Sequence, residues 1–360
     1  MRIVLVSDCY PPRLGGIESQ VAALSGQLRS AGHDVCVLTA TPGPEQTGVL
    51  RMNGLPVGPP IKAWAAPAMR TVLQAADVVH IHLGVMAPFA QMAALVATSA
   101  AIPTVITWHS LVASSPMTPA LRHRWRRWMD RGALPTAVST VGACQLATAL
   151  SVGRVDLVRN GIHIERWKGD PAPGGGGGVQ VVSAMRFTPR KRPIGLIAML
   201  SQVRGGLPLS QRPSLVICGD GPLLEPLRRV VASTSLREWV ELPGRVSRAH
   251  LAATYRRSDL YVAPARHEAF GIAALEAAAA GLPVVASAGS GVEDMVQHGK
   301  GGLLAATDGD LVGQLTRAVR EPGRIEAMAD HQRAQPPTGY SWSNVTAATV
   351  AIDQRAIATA

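Results

Sequence analysis

Short apolar runs alternate with helix-length amphipathic segments along the whole chain. Residues 2–7, 34–39, 77–82, 104–108, 136–139 and 155–158 are short and apolar, with many Val, Ile and Thr, and they predict strands. Residues 17–31 set Ile17, Val21, Leu24 and Leu28 on one helical face, and Gly32-His33 supplies the stop. Helices are also predicted at 86–99, 119–131 and 141–150. Strands separated by helices make βαβ units, hence a parallel sheet covered on both faces.

The run GDPAPGGGGG at 169–178 breaks this rhythm, because consecutive glycines hold regular structure only at high entropic cost. Beyond it the alternation restarts. Strands are predicted at 179–184, 214–218, 239–242, 259–263 and 283–286, with helices at 193–203, 223–233, 248–257, 272–280 and 310–320. The expected organisation is an N-terminal α/β domain over 1–168, a linker at 169–178 and a second α/β domain over 179–340. A last helix over 341–360 is expected to cross back to the first domain. Two doubly wound sheets imply ligand binding in a central cleft.

Composition narrows the class. With 47% hydrophobic and 16% charged residues, the 360-residue chain has ample material for a core, which excludes global disorder. Its formal charge of +11, heavier in the first half, suits phosphate-bearing ligands, nucleic acid or anionic membranes without choosing among them. Cys9, Cys36, Cys144 and Cys218 form no CxxC pair, so a reducing, cytoplasmic setting is expected. The first apolar run ends at Asp8, too early for a signal peptide. The Ala-rich run 86–102 is interrupted by Pro88 and Gln91, short of the roughly 20 apolar residues a span needs. The protein is therefore expected to be soluble, or peripheral at the inner face of a membrane.

The chemistry sits at strand ends. After the first strand, Gly15-Gly16 open a helix with Glu18 in its first turn. Exposed amides there suit an anion, but the pattern is not G-x-G-x-x-G and gives no dinucleotide fingerprint. Trp108-His109-Ser110 closes another strand. His80 and His82 share one strand face, lack an identifiable third metal ligand and read as structural. In the second half, Arg186 and Lys191 follow a strand and suit either a diphosphate clamp or, with Arg190 and Arg192, a solvated basic loop, and Gly219-Asp220-Gly221-Pro222 makes a strand-to-helix turn. The densest constellation is Arg266 to Glu276. Amides at Phe270, Gly271 and Ile272 start a helix, and Glu268 and Glu276 accept from sugar hydroxyls. Paired carboxylates also suit glycoside hydrolysis, but cations and glycines around them favour a nucleotide.

These residues resemble glycosyltransferase family 4, over essentially the full length. The motifs are Glu268 and Glu276 with seven residues between them, Pro11 to Glu18, Arg186 with Lys191 and His109-Ser110. Asn160-Gly161, Gly219 to Pro222, Gly301 to Leu304 and Tyr340-Ser341-Trp342 complete the set. The resemblance implies a GT-B fold of two Rossmann-like domains, and a retaining transfer of a sugar from a nucleotide-diphosphate sugar. It implies that Glu276 holds the ribose, and that Glu268 with the 270–272 amides holds the sugar. Arg186 and Lys191, helped by the Gly16 backbone, neutralise the diphosphate, and His109 contacts the sugar. Gly219 and Asp220 fall on the donor side, Gly15 and Glu18 on the acceptor side. No metal or other cofactor is implied, and no protein nucleophile. Met185 stands where the family usually has glycine, His163 where it has aspartate and Asp294 where it has glutamate.

Residues 121–131 form a basic run in which Leu121, Trp125, Trp128 and Met129 make one helical stripe among arginines. Such a helix fits either an anionic membrane surface carrying a lipid-linked acceptor or a domain core with solvated arginines. No nucleic-acid recognition motif accompanies it. Two rivals to the transferase remain at this stage: a non-catalytic nucleotide-sugar-binding subunit, and a nucleotide-sugar epimerase or hydrolase on the same fold.

Overall fold

The computed structural model describes residues 1–52, 65–84, 86–112, 119–169, 178–321 and 323–360. Residues 170–177, most of the predicted linker, lie outside that set. The chain divides into two compact units, Met1–Gly161 with Gly339–Ala360, and Ile162–Thr338.

Unit 1 carries strands β1 (Arg2–Ser7), β2 (Asp34–Thr39), β3 (Val49–Arg51), β4 (Val78–Leu83), β5 (Thr104–Trp108), β6 (Leu134–Ala137) and β7 (Asp156–Leu157). They form one parallel sheet in the order β3-β2-β1-β4-β5-β6-β7. Helices α1 (Gly16–Ser30), α2 (Ala65–Gln74), α3 (Pro88–Ser99), α4 (Pro119–Met129) and α5 (Thr140–Leu150) connect them. β4 and β5 are buried throughout, and they read as largely apolar runs interrupted by His80 and His82 in β4 and by Thr104 and Thr107 in β5. The predicted strand 136–139 ends at Ala137 instead. Ser139 is the N-cap of α5, its hydroxyl accepting from Gly142 N at 3.2 Å.

Unit 2 carries β8 (Gln180–Ala184), β9 (Ser214–Cys218), β10 (Val240–Gly244), β11 (Leu260–Ala263), β12 (Val284–Ser287) and β13 (Gly302–Ala305), parallel in the order β10-β9-β8-β11-β12-β13. Its helices are α6 (Pro193–Gly205), α7 (Leu224–Ala232), α8 (Arg248–Arg256), α9 (Ile272–Ala279), α10 (Asp308–Arg320) and α11 (Arg324–Ala334). β13 was masked in the sequence by its glycines. At Gly302 a Cβ would lie 2.1 Å from the Val284 carbonyl oxygen, so glycine marks close strand approach rather than a turn. The sequence reading ends the first domain at 168, whereas the contacts assign 162–169 to unit 2. Trp167 packs there against Tyr255, ring centroids 5.7 Å apart.

The final helix, α12 (Trp342–Ala358), packs on α1, β4 and β5 within unit 1. Its Trp342 ring presses on Gly161, where a Cβ would come within 2.6 Å. Gln20 bonds both the amide (2.9 Å) and the carbonyl (3.1 Å) of Gly161. Asn160-Gly161 and Tyr340-Ser341-Trp342 are thus halves of one packing arrangement. The stripe on α4 also resolves toward the core. Trp125 and Trp128 are buried, and Trp125 meets Trp108 edge-on at 5.4 Å. The exposed face of α4 carries Arg122, His123, Arg124, Arg126 and Arg127. All four cysteines are free thiols.

Candidate active site

In both sheets the strand order reverses beside the first strand, between β1 and β4 and between β8 and β11. Ligands of such sheets gather at the carboxyl ends of those strands. In unit 2 this topology makes neighbours of the 185–192 loop after β8 and the 264–271 loop after β11. Lys191 Nζ is ion-paired with Glu268 Oε2. Arg186 is exposed and has no partner among the described residues.

The loop bearing Arg186 is braced from below by the turn after β9. Gly219 (φ 137°) lies so close that a Cβ would come within 1.8 Å of the Met185 carbonyl oxygen. At Gly221 (φ 150°) one would meet Phe187 backbone at 2.7 Å. Phe187 N donates to the Asp220 carbonyl (2.8 Å), and the Asp220 carboxylate turns back onto Gly221 N (2.7 Å). Gly219 and Asp220 therefore shape the cation loop.

A second brace is absent from the sequence reading. Asp308, at the start of α10, accepts from Arg192 (3.0 and 2.5 Å) and Arg266 (2.9 Å), one from each loop, and these guanidiniums hold its carboxyl down at about 2. Arg192 also reaches the Pro264 carbonyl at 3.0 Å. Gly291 underlies the Glu268 segment: its N–H donates to the Glu268 carbonyl at 2.7 Å, and a Cβ would meet the Ala269 carbonyl oxygen at 2.0 Å. Nothing local in the sequence marks Asp308 or Gly291, because their partners are distant in the chain.

Gly271 (φ 89°) caps α9 in the left-handed region that favours glycine, so the amides at the helix start are free of a side-chain cap. One turn in sits Glu276, half-buried and without a hydrogen-bond or ion-pair partner among the described residues. Burial pushes its carboxyl up from 4.5 to about 7, against the opposing pull of Arg248. A carboxylate that lacks its own donors is suited to ligand hydroxyls. Because the ionised form is the better acceptor, affinity for a nucleotide sugar is expected to rise about tenfold from pH 6 to pH 8. Calorimetric titration checks this, and Glu276→Gln should flatten the profile. Stability has the opposite sign. The folded chain keeps a proton that the unfolded chain releases near 4.5, so this group's contribution falls as pH rises from about 4.5 to 7.

In unit 1, Asp8 accepts from Phe89 N (3.0 Å) and Ala90 N (2.9 Å), tying the β1 loop to the start of α3. Glu18 is buried, ion-paired with Arg13 at 3.1 Å, and lies over Gly15, where a Cβ would come within 2.2 Å of it. Burial first, and then the Glu18 charge, pushes the Cys9 thiol up to about 11. Gly16 begins α1. His109 bonds His82, ring nitrogen to ring nitrogen, at 2.9 Å. His80 bonds Asp353 of α12 at 2.9 Å. The strand-face histidines are thus linked to the final helix, a partner 273 residues away.

Two doubly wound units, the second presenting cations, helix-start amides and an unpartnered carboxylate at its switch point, define a GT-B glycosyltransferase that uses a nucleotide sugar. Residues 14–166 match the family described as Glycosyltransferase Family 4, and residues 175–335 that described as Glycosyl transferases group 1. The chain belongs to glycosyltransferase family 4. It is 28% identical to a GDP-mannose-dependent alpha-(1-6)-phosphatidylinositol monomannoside mannosyltransferase of Mycobacterium tuberculosis, over 96% of each chain. It is 27% identical to a glycogen synthase of the same organism, over 98% of this chain and 94% of that one. Its fold matches the Anabaena protein HepE, solved in complex with UDP. That match has a TM-score of 0.79 at 17% identity, covering 99% of this chain and all of the other.

Proposed function

We propose that this glycosyltransferase moves mannose from GDP-mannose, with retention and without a metal ion, to a phosphatidylinositol-type glycolipid. The observation that carries the donor half is Glu276, without a hydrogen-bond or ion-pair partner among the described residues, on a helix whose N-terminus has no side-chain cap and follows the loop of the Lys191–Glu268 pair. The guanine base, mannose and lipid rest on the mannosyltransferase relative, whose name states that donor and acceptor.

The acceptor hydroxyl oxygen bonds to the sugar's anomeric carbon as the bond from that carbon to the diphosphate breaks. The departing phosphate oxygen takes the hydroxyl proton, so the products are the mannosylated lipid and GDP. Arg186 and Lys191 neutralise charge that grows on the leaving group, the task a metal ion performs elsewhere. The Gly16 amide assists, and Glu276 holds the ribose. Glu268 and the 270–272 amides hold the sugar, and His109 bonds it. Gly15 and Glu18 shape the acceptor loop. We assign the exposed arginine face of α4 to anionic lipid headgroups, while its tryptophans stay in the core. Among the described residues, no helix is long and apolar enough to cross a membrane.

One experiment tests both halves. GDP-, UDP- and ADP-sugars are screened by thermal shift, then radiolabelled transfer is followed with vesicles of phosphatidylinositol mannoside in EDTA. GDP-mannose at a hundred times its Kd should add about 2.7 kcal/mol of stability. Label should pass to lipid, and protein should sediment with the vesicles at low salt. A larger shift with UDP- or ADP-sugars overturns the base, and loss of transfer in EDTA overturns metal independence. Absence of vesicle binding removes the role of α4. Donor turnover without acceptor at the rate of transfer identifies a hydrolase or epimerase instead.

A further inference from the structure

The buried histidines of unit 1 form a chain that runs from the final helix to His109. His80 and Asp353 are both fully buried, and both ring nitrogens of His80 are engaged. Nδ1 bonds Asp353 Oδ1 at 2.9 Å, and Nε2 bonds Thr107 Oγ1 at 2.7 Å. Thr107 continues to Thr136 Oγ1 at 2.6 Å, which donates to the Ile106 carbonyl at 3.2 Å. Two bonds in one ring plane fix that plane. His82 stacks on it, ring centroids 4.8 Å apart and planes within 7°. His82 Nδ1 is thereby held 2.9 Å from His109 Nε2.

Counting protons then settles which nitrogen donates. An N···N hydrogen bond needs one protonated and one bare nitrogen. His82 Nε2 is buried and has no hydrogen-bond partner among the described residues. If His109 donated, the His82 proton would sit on Nε2 as an orphaned buried N–H, a rarer and costlier state than a bare acceptor nitrogen. His82 therefore carries its proton on Nδ1 and donates. His109 accepts through Nε2 and keeps its own proton on Nδ1.

We propose that His82, held by the Asp353–His80 pair of the final helix, is a positioning residue that fixes His109 with its proton on Nδ1, so that His109 is a hydrogen-bond donor and not a base. This rests on the placement of His109 at the donor sugar. Burial and the neighbouring His80 hold His109 down at about 3, which keeps the ring neutral across the working pH range. A neutral imidazole with its lone pair occupied can only donate outward. The pairing suits it to a sugar oxygen and unsuits it to taking the acceptor's proton. The C-terminal helix thus reaches the reaction through three imidazoles, those of His80, His82 and His109.

The test uses the full chain labelled with 15N-histidine, with His109 assigned by loss of its signal in His109→Gln. The expected spectrum shows a protonated, pyrrole-type Nδ1 and a bare, pyridine-type Nε2 for His109. The reverse pattern overturns the proposal and needs no variant to fold. Kinetics with GDP-mannose supply the second readout. His82→Leu should lose about tenfold in kcat with the donor KM little changed, the value of one hydrogen bond. His82→Asn, whose amide N–H can occupy the Nδ1 position, should recover most of that loss. Equal damage by Asn and Leu overturns positioning through the hydrogen bond. If His109→Ala keeps full turnover, the placement of His109 at the sugar falls, while the proton assignment is still decided by the spectrum.

Discussion

Lys191→Ala is expected to lower kcat with GDP-mannose by about 10²–10³-fold, the typical cost of removing one preorganised group that stabilises developing charge. The ammonium stands beside Glu268, between the two loops at the switch point of unit 2. In the unliganded chain its charge is balanced by that carboxylate. In the proposed donor complex a bound diphosphate would turn the pair into a triad, and the cation would meet charge that increases as the bond to the sugar breaks. The ion pair is partly solvent-exposed, so the unliganded protein should lose only about 0–1 kcal/mol. Steady-state kinetics and unliganded melting, measured side by side, separate the two effects. A variant within threefold of wild type in kcat would remove Lys191 from the diphosphate site. Glu276→Ala provides the complementary case: the thermal shift with donor should vanish while the unliganded melt is nearly unchanged, since Glu276 gives up no internal bond.

Gly219→Ala is expected to destabilise unit 2 by about 3 kcal/mol and to abolish the donor-induced shift, combining overpacking against backbone with strain at positive φ. The added Cβ would lie 1.8 Å from the Met185 carbonyl oxygen, and a carbonyl in a braced loop cannot swing aside as a side-chain tip can. The displacement reaches the next residue, Arg186. Denaturant unfolding gives the stability, and the thermal-shift assay gives the binding. Because the substitution adds no charge and removes no side-chain group, loss of donor binding together with stability would show that the turn after β9 holds the cation loop. An alanine variant with wild-type stability and donor shift would contradict the close approach.

Local chemistry was largely legible beforehand. Largely buried parallel strands are short and mostly apolar, so β1, β2, β4, β5, β8, β9, β11 and β12 are visible as runs. β3 has three residues at a sheet edge, and β13 begins on glycine, so neither shows a period of its own. Glycines at 15, 16, 219 and 271 were readable as positions of close approach or helix opening. What they approach was not readable. Asp308 could be placed only once β8, β11 and β13 lay in their order, because Arg192 is 116 residues from it and Arg266 is 42.

The order of apolar runs and glycine turns determined by itself that this chain makes two wound sheets, and the Arg, Lys and Glu residues beyond them implied an activated sugar only through their resemblance to glycosyltransferase family 4. These are properties of neighbouring residues, set by backbone sterics and periodicity. Tertiary structure alone decided that the α4 tryptophans face inward, that burial and lack of a partner hold Glu276 near neutrality, and that Asp353 anchors the histidine chain. Burial and dielectric depend on which distant segments cover a residue, and a helical period gives the direction of a stripe without naming what will lie against it.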